Sequence, residues 1–313
     1  VIPSGDPPMP VADPGYSLSV IIVTYNSAAE IGGCLQALIP QVTSINGEII
    51  VVDNASTDDS IARVHHAARD FKALTVIKNR RNTGFSRANN QGLAVAEGEH
   101  IFLLNPDTEV QVGAVETLLN TLTGDDHWGA VAPQLLWPDG RIQKSCRRFP
   151  NHWDVFTHVF ALNSLWPKSR LFNGWKMGDF NHTCTAEVEQ PAAAALLLRG
   201  SLFRELKGFD DQFPLFFNDV DLCRRIWMAG YKILFNPAAR VVHYGGASVL
   251  SNRISTIVSS HVSFFRYLEK YYDRLHHQIF NLLAGLVLYL GIIPRLIWHG
   301  LGLALRFRRK NTL

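Results

Sequence analysis

LSVIIVTYNSAAEIGGCLQALIPQVTSINGEIIVVDNASTDDS, residues 18–60, carries two apolar runs rich in Val and Ile, at 18–25 and 48–53, separated by a helix-like stretch. Short unbroken runs of β-branched residues read as strands buried on both faces. Polar residues follow each run: Thr24, Tyr25 and Asn26 after the first, Asp53 and Asn54 after the second. The pattern repeats at 74–79 (LTVIKN), 100–105 (HIFLLN) and 129–136 (GAVAPQLL), with helices expected from near Ser27, Thr57, Phe85 and Val110, where Asn, Ser or Asp can cap them. A βαβαβαβα order predicts an α/β chain with a mainly parallel sheet and right-handed crossovers.

Length and composition narrow the class. The 313 residues allow one large domain or two smaller ones. With 47% hydrophobic and 18% charged residues, and 23 Gly and 15 Pro in no period, collagen-like, low-complexity and disordered chains are excluded. Cys34, Cys146, Cys184 and Cys223 form no CxxC pair, so they are expected to be buried thiols in a reducing compartment; zinc ribbons and disulfide scaffolds are excluded. Residues 1–16 read as a Pro-rich tail without the charged leader and apolar core of a secretory signal.

The net charge of +3 hides a division along the chain. From Arg274 onward there are six basic residues and no Asp or Glu, which leaves 24 Lys and Arg against 27 Asp and Glu before it. A mildly acidic body without a basic stripe argues against nucleic acid as partner, whereas a basic end beside an apolar run suits anionic lipid. Residues 279–293 are nearly all apolar, but fifteen helical residues span only about 22 Å against a ~30 Å hydrocarbon core. Pro294 and Arg295 then interrupt the run, so residues 273–313 are expected to form two helices lying in or dipping into a membrane interface. A soluble helical pair packed on the body or on a second copy is the other reading.

Ligands of open α/β sheets bind at the carboxyl ends of the strands, where the polar residues above converge. Neither GxGxxG nor GxxxxGK[ST] occurs, which disfavours a nicotinamide dehydrogenase and a P-loop NTPase. Asn105-Pro106-Asp107 presents a carboxylate suited to holding Mg²⁺ or Mn²⁺ against a diphosphate; a turn is the plain alternative. Asn218-Asp219-Val220-Asp221 follows an apolar segment, where a carboxylate can gain proton affinity and act as a general base. Asp221 stands four residues before Arg225, the spacing of a helical ion pair, so Asp219 is read as chemical and Asp221 as structural. His243 precedes Tyr244, Gly245 and Gly246, where a backbone without side chains allows close approach of a ligand. Residues 141–182 form an aromatic-rich stretch with Trp153, Trp166 and Trp175, either a functional loop or an inserted helical piece, and residues 192–198 suit helix or strand.

In order, SVIIVTYNS, VVDNASTDDS, NTGFSRANNQG, FLLNPDT, GFDDQFPLFFNDVDLCRRIWMAGY and VHYGGAS resemble the motifs of family 2 glycosyltransferases, and within them the bacterial rhamnosyltransferase-like group, over residues 17–272. The resemblance implies a GT-A fold, a nucleotide-diphosphate sugar donor, a divalent cation (Mg²⁺ or Mn²⁺) and inversion at the anomeric carbon. By position, Thr24, Tyr25, Asn26 and Asp53 correspond to the nucleoside pocket, and Asn82, Gly84, Phe85 and Arg87 to the donor lining. Asp107 falls on the last carboxylate of the metal motif, with Asn105 at its first position and His243 as a further ligand. Asp219 falls on the catalytic base, with Asn218 where the family carries Glu.

The resulting expectation is a membrane-associated inverting enzyme that moves L-rhamnose from dTDP-L-rhamnose to a polyprenyl-diphosphate-linked saccharide. It would serve cell-envelope polysaccharide synthesis on the cytoplasmic face of the bacterial inner membrane, as a monomer or homo-oligomer. A UDP-hexose donor, or a non-catalytic sugar-nucleotide or partner-binding module, are the alternatives.

Overall fold

The computed structural model describes residues 15–245 and 253–310, without the side chains of 253–255 and 293–310. Nearly all of the Pro-rich tail, and Gly246, lie outside them. The first half alternates as expected: β1 (Tyr16–Thr24), α1 (Ile31–Ser44), β2 (Gly47–Asp53), α2 (Ser60–Ala67), β3 (Leu74–Lys78), α3 (Phe85–Val95), β4 (Gly98–Leu104). Then follow β5 (Thr108–Val110), α4 (Ala114–Thr123), β6 (Trp128–Leu136), β7 (Ile142–Gln143), β8 (Cys146–Arg147), α5 (His152–Val159) and α6 (Leu162–Leu165). The chain continues through β9 (Ala186–Val188), β10 (Gln190–Pro191), β11 (Ala195–Arg199), α7 (Gly200–Glu205), α8 (Asn218–Met228), β12 (Lys232–His243), α9 (Arg253–Tyr271) and α10 (Leu275–Lys310).

The main sheet runs β3-β2-β1-β4-β11-β6-β12-β5. Its first four strands are parallel, and β6 is parallel to β12. β11 lies antiparallel between β4 and β6, so the sheet is mixed and mostly parallel. Residues on alternate sides of β1 enter different cores: Leu18, Val20 and Ile22 pack with α1 and α4, whereas Ile21 and Val23 pack with α3, α7 and α8.

Two helix starts differ from expectation. α1 begins at Ile31 because Ser27 turns the chain first: its carbonyl accepts from Glu30 and Ile31, and its N–H donates to Ser60 Oγ at 2.8 Å. Val110 does not start a helix, because residues 108–110 pair antiparallel with the end of β12, a partner more than 130 residues away that local periodicity cannot reveal. The 141–182 stretch is a small inserted piece containing α5, whose Asn151 and Asp154 form a reciprocal capping box. Cys34, Cys146 and Cys223 are buried as expected; Cys184 is exposed, because it falls in the surface loop before β9.

A third core joins α5, α8, α9 and α10 through Val155, Phe213, Phe217, Val220, Phe264, Tyr267, Leu268, Ala284 and Leu288. Each large side chain buried there contributes about 1.5–3 kcal/mol, so α9 is held firmly. This core crosses residue 272, where the sequence suggested a division. α10 is one helix through Pro294, not two, since a proline removes a single helical hydrogen bond and need not end the helix.

Candidate active site

The carboxyl edge of the sheet brings Asp107 and His243 together. After β4, Asn105 N–H donates to Ala194 O at 2.8 Å and Tyr244 N–H to Asp107 O at 2.9 Å. β5 pairs Thr108 with His243, and this register sets His243 Nε2 at 3.5 Å from Asp107 Oδ1. His243 Nδ1 lies 2.7 Å from Gln143 Oε1, a contact in which Nδ1–H can donate while Nε2 is turned toward Asp107. In the tautomer with the proton on Nδ1, Nε2 and Asp107 Oδ1 are two acceptors that one cation can share. Asn105 Oδ1, buried without a partner among the described residues, is a further acceptor nearby in sequence. No group of three or more His, Cys, Asp or Glu suited to a metal occurs among the described residues. A pair of ligands fits Mg²⁺ or Mn²⁺ that completes its shell with diphosphate oxygens and water.

The residues expected around the nucleoside and donor are bound into a braced edge. Thr24 is fully buried and its Oγ1 has no partner among the described residues. Tyr25 is exposed. Asn26 Oδ1 accepts from Thr57 N–H at 2.8 Å, and Asp53 Oδ1 from Ser56 N–H at 3.2 Å, so both oxygens hold the loop after β2. Asn82 Oδ1 accepts from Gly84 N–H and from Asn54 Nδ2, both at 2.9 Å. Asn54, one of the strand-end polar residues, is the hub of this edge: its Oδ1 also receives Thr83 N–H at 2.9 Å and Asn79 Nδ2 at 3.2 Å.

Gly84 has φ +87°, and a Cβ there would stand 3.1 Å from Pro214 O. That approach lets Phe85 N–H donate to Pro214 O at 2.8 Å, tying α3 to the segment before α8. The Phe85 ring packs edge-on against Phe209, in the second core, and Arg87 pairs with Asp211 at 2.8 Å. Both side chains brace α3 against the 209–214 loop, Arg87 through an ion pair that is itself exposed.

Asp219 sits in the first turn of α8, after Phe217 in a left-handed conformation at φ +65°. Its Oδ2 accepts from Gln190 Nε2 at 3.0 Å and its Oδ1 from Val220 N–H at 2.8 Å. Asn218 Oδ1 accepts from Asp219 N–H at 2.7 Å and its Nδ2 donates to Leu215 O, so Asn218 shapes the turn. Desolvation pushes the Asp219 carboxyl above the ordinary aspartate value, with the nearby Arg147 charge opposing. A cavity of about 360 Å³ opens on it, lined by Arg147, Trp175, Gln190, Asp219, His261 and Leu288 among others. The short run from Gln190 to Ala194 links this cavity to Asn105.

Asp221, two residues on, is fully buried and takes Arg225 Nε at 2.8 Å, Lys270 Nζ at 2.5 Å and Tyr271 Oη at 2.7 Å. It clamps α9 onto α8, the structural role expected. Sequence reasoning missed Gln190, Arg147 and the reach of Trp175. A paired Arg147-Arg148 amid aromatics was the one signal available; Gln190 offered none. Of the eight buried polar side-chain atoms without partners among the described residues, four lie here: Thr24 Oγ1, Asn105 Oδ1, Trp175 Nε1 and Gln190 Oε1. Such clustering marks a place where a ligand supplies the missing hydrogen bonds.

The mixed, mostly parallel sheet flanked by helices is that of a GT-A fold. The chain belongs to Glycosyl transferase family 2, whose sequence profile matches residues 19–178, and it is a glycosyltransferase. Over 266 residues it is 26% identical to the N-acetylglucosaminyl-diphospho-decaprenol L-rhamnosyltransferase of Mycobacterium tuberculosis, covering 80% of this chain and 83% of that protein. The fold is similar to the Pyrobaculum calidifontis mannosyltransferase PcManGT solved with GDP-Man and Mn²⁺, with TM-score 0.53 and 19% identity over 96% of this chain and 85% of that one. It is similar also to GalNAc-T7 solved with UDP, GalNAc and Mn²⁺, with TM-score 0.58 and 18% identity over 81% of this chain and 48% of that one.

Proposed function

We propose that this glycosyltransferase moves L-rhamnose from dTDP-L-rhamnose, with inversion, to a polyprenyl-diphosphate-linked saccharide in cell-envelope synthesis. The observation that carries it is the desolvated Asp219 at the head of a cavity, joined through residues 190–194 to the edge that holds Asn105 and Asp107. The acceptor and sugar follow the mycobacterial relative, whose name states both.

Asp219 takes the proton of an acceptor hydroxyl as that oxygen attacks the face of the sugar opposite the leaving group, which inverts the anomeric centre. A divalent cation, Mg²⁺ or Mn²⁺, held by Asp107 and His243 would stabilise the departing nucleoside diphosphate. Gln190 keeps the carboxylate aimed into the cavity. A diphosphate leaves as a stable anion, so no second carboxyl is required as acid.

The membrane reading, on the cytoplasmic face of a bacterial inner membrane, rests on α10. Residues Leu275–Ile292 are long and apolar enough to cross a membrane, and only 22% of that window is buried. Leu282, Leu286 and Tyr289 are exposed there, and α5 with the residue after it adds exposed Trp153, Phe156 and Phe160, rings that suit a membrane interface.

A donor panel tests the reading. With Mn²⁺ or Mg²⁺, dTDP-L-rhamnose at a hundred times its Kd should add about 2.7 kcal/mol of stability in a thermal-shift assay. A larger shift with UDP-hexoses or GDP-mannose reassigns the donor. No shift with any of them points to a module without turnover.

A further inference from the structure

We infer that the cavity above Asp219 is a seat for a phosphate-linked saccharide, with Arg147 taking the phosphate linkage of the acceptor and Trp175 hydrogen-bonding its sugar. The inference rests on the proposed transfer to a lipid-linked acceptor and adds the residues that select it.

The cavity's wall carries one cation and one carboxylate among the described residues, besides two histidines. Asp219 is the one carboxylate among the described residues of its wall, and Arg147 lies near it as a permanent cation. Arg147 makes no ion pair with a described residue. Its guanidinium lies 5.4 Å over the Trp175 ring, a contact that positions it without neutralising it. Desolvation works against that charge. A half-buried guanidinium without a full counter-charge favours an anion, and its planar fork matches phosphate oxygens.

Trp175 is fixed from several sides, with Phe264 at 5.2 Å and Phe217 at 6.2 Å between ring centroids. Its Nε1 and Gln190 Oε1 are the cavity's two orphaned polar atoms, one donor and one acceptor, which is what sugar hydroxyls satisfy. Leu288 of α10 forms part of the same wall. Beyond it, Leu282, Leu286 and Tyr289 of α10 are exposed and apolar. An anionic sugar linkage at Arg147 with a lipid leaving along α10 therefore meets matching chemistry at each step.

The test compares one saccharide presented on a polyprenyl diphosphate and as a neutral octyl glycoside, in full-length protein with donor and Mn²⁺. Assays are run on the alkaline plateau, where Asp219 is ionised in every variant. The wild type should show a KM at least tenfold lower for the diphosphate acceptor. Arg147→Met should shrink that ratio at least tenfold and Arg147→Lys should restore part of it, while Trp175→Phe should raise both KM values. Donor thermal shifts equal to wild type establish that each variant is folded. Should Arg147→Met change KM equally for both acceptors, or lower only kcat, the seat is overturned while the transfer reading stands. Should the wild type bind donor yet transfer to neither acceptor, the transfer reading fails and the seat with it.

Discussion

Gln190 Nε2 donates to Asp219 Oδ2 at 3.0 Å, across 29 residues of chain, while its own Oε1 finds no partner among the described residues. One amide thus fixes the base and leaves an acceptor beside it. A hydrogen bond to the ionised form lowers a carboxyl's pKa, whereas burial has raised that of Asp219 above the ordinary value. A general base works only when ionised, so transfer is lost as pH falls through this raised pKa. Gln190→Leu removes the donor and should move the acid limb of kcat/KM to higher pH, with Gln190→Glu moving it further by like charge. An unmoved limb in both variants would show that another group titrates.

Asp219 and Asp221 should respond oppositely to amide substitution. A carboxyl whose folded pKa is raised binds protons on folding, so its contribution declines as pH climbs above the unfolded aspartate value. At neutral pH Asp219 is a destabilising element, and Asp219→Asn should hold or raise Tm. Asp221→Asn leaves Arg225 without its carboxylate, while Lys270 keeps Asp210 at 2.7 Å, and should cost about 3 kcal/mol in urea unfolding. Equal Tm changes for the two variants would undo this division of roles.

His243 Nε2 and Asp107 Oδ1, at 3.5 Å, are assigned to one cation. Donor binding by the wild type should therefore weaken in chelator, and Asp107→Ala should bind donor weakly with or without Mn²⁺. Calorimetric titrations in which chelator changes nothing would remove the cation from the site.

Truncation of the tail has to respect the third core. Ala284 and Leu288 belong to it, so deleting residues 275–313 should damage the catalytic body as well as any membrane contact. Deleting residues 294–313 removes Arg295, Arg306, Arg308, Arg309 and Lys310 while sparing that core. Each basic residue near an anionic leaflet is worth roughly 1 kcal/mol, partly screened by salt. Cosedimentation with anionic vesicles should fall many-fold in this variant with Tm unchanged; retained binding would place the attachment elsewhere.

Strands β1, β2 and β4 were legible because each is a largely buried apolar run, and β3 because its Val and Ile stand out although it is the half-exposed edge of the sheet; the Asp221 and Arg225 pair needs only helical spacing. β5 was not, since three residues become a strand only against the distant end of β12. Nor was the antiparallel insertion of β11, whose Ala and Leu run suits helix or strand equally. At the site, the motif residues were found by kind and order, but what each touches depends on tertiary approach. Phe85 turned into the core and Arg87 toward Asp211 because α3 is pinned to Pro214, a contact spanning about 130 residues. Gln190 and Arg147 belong to two-residue strands that pair with each other, too short to leave a periodic trace.

The account turns on Asp219 as the base, and single-turnover transfer by Asp219→Asn tests that most directly. A positioned general base contributes about 10²–10⁴-fold, and the amide keeps the size of the carboxyl and one of its two acceptor oxygens. Transfer should fall at least a hundredfold while donor affinity, read by calorimetry, stays near wild type. Transfer within tenfold of wild type, with the variant folded and saturated with donor, would contradict the account.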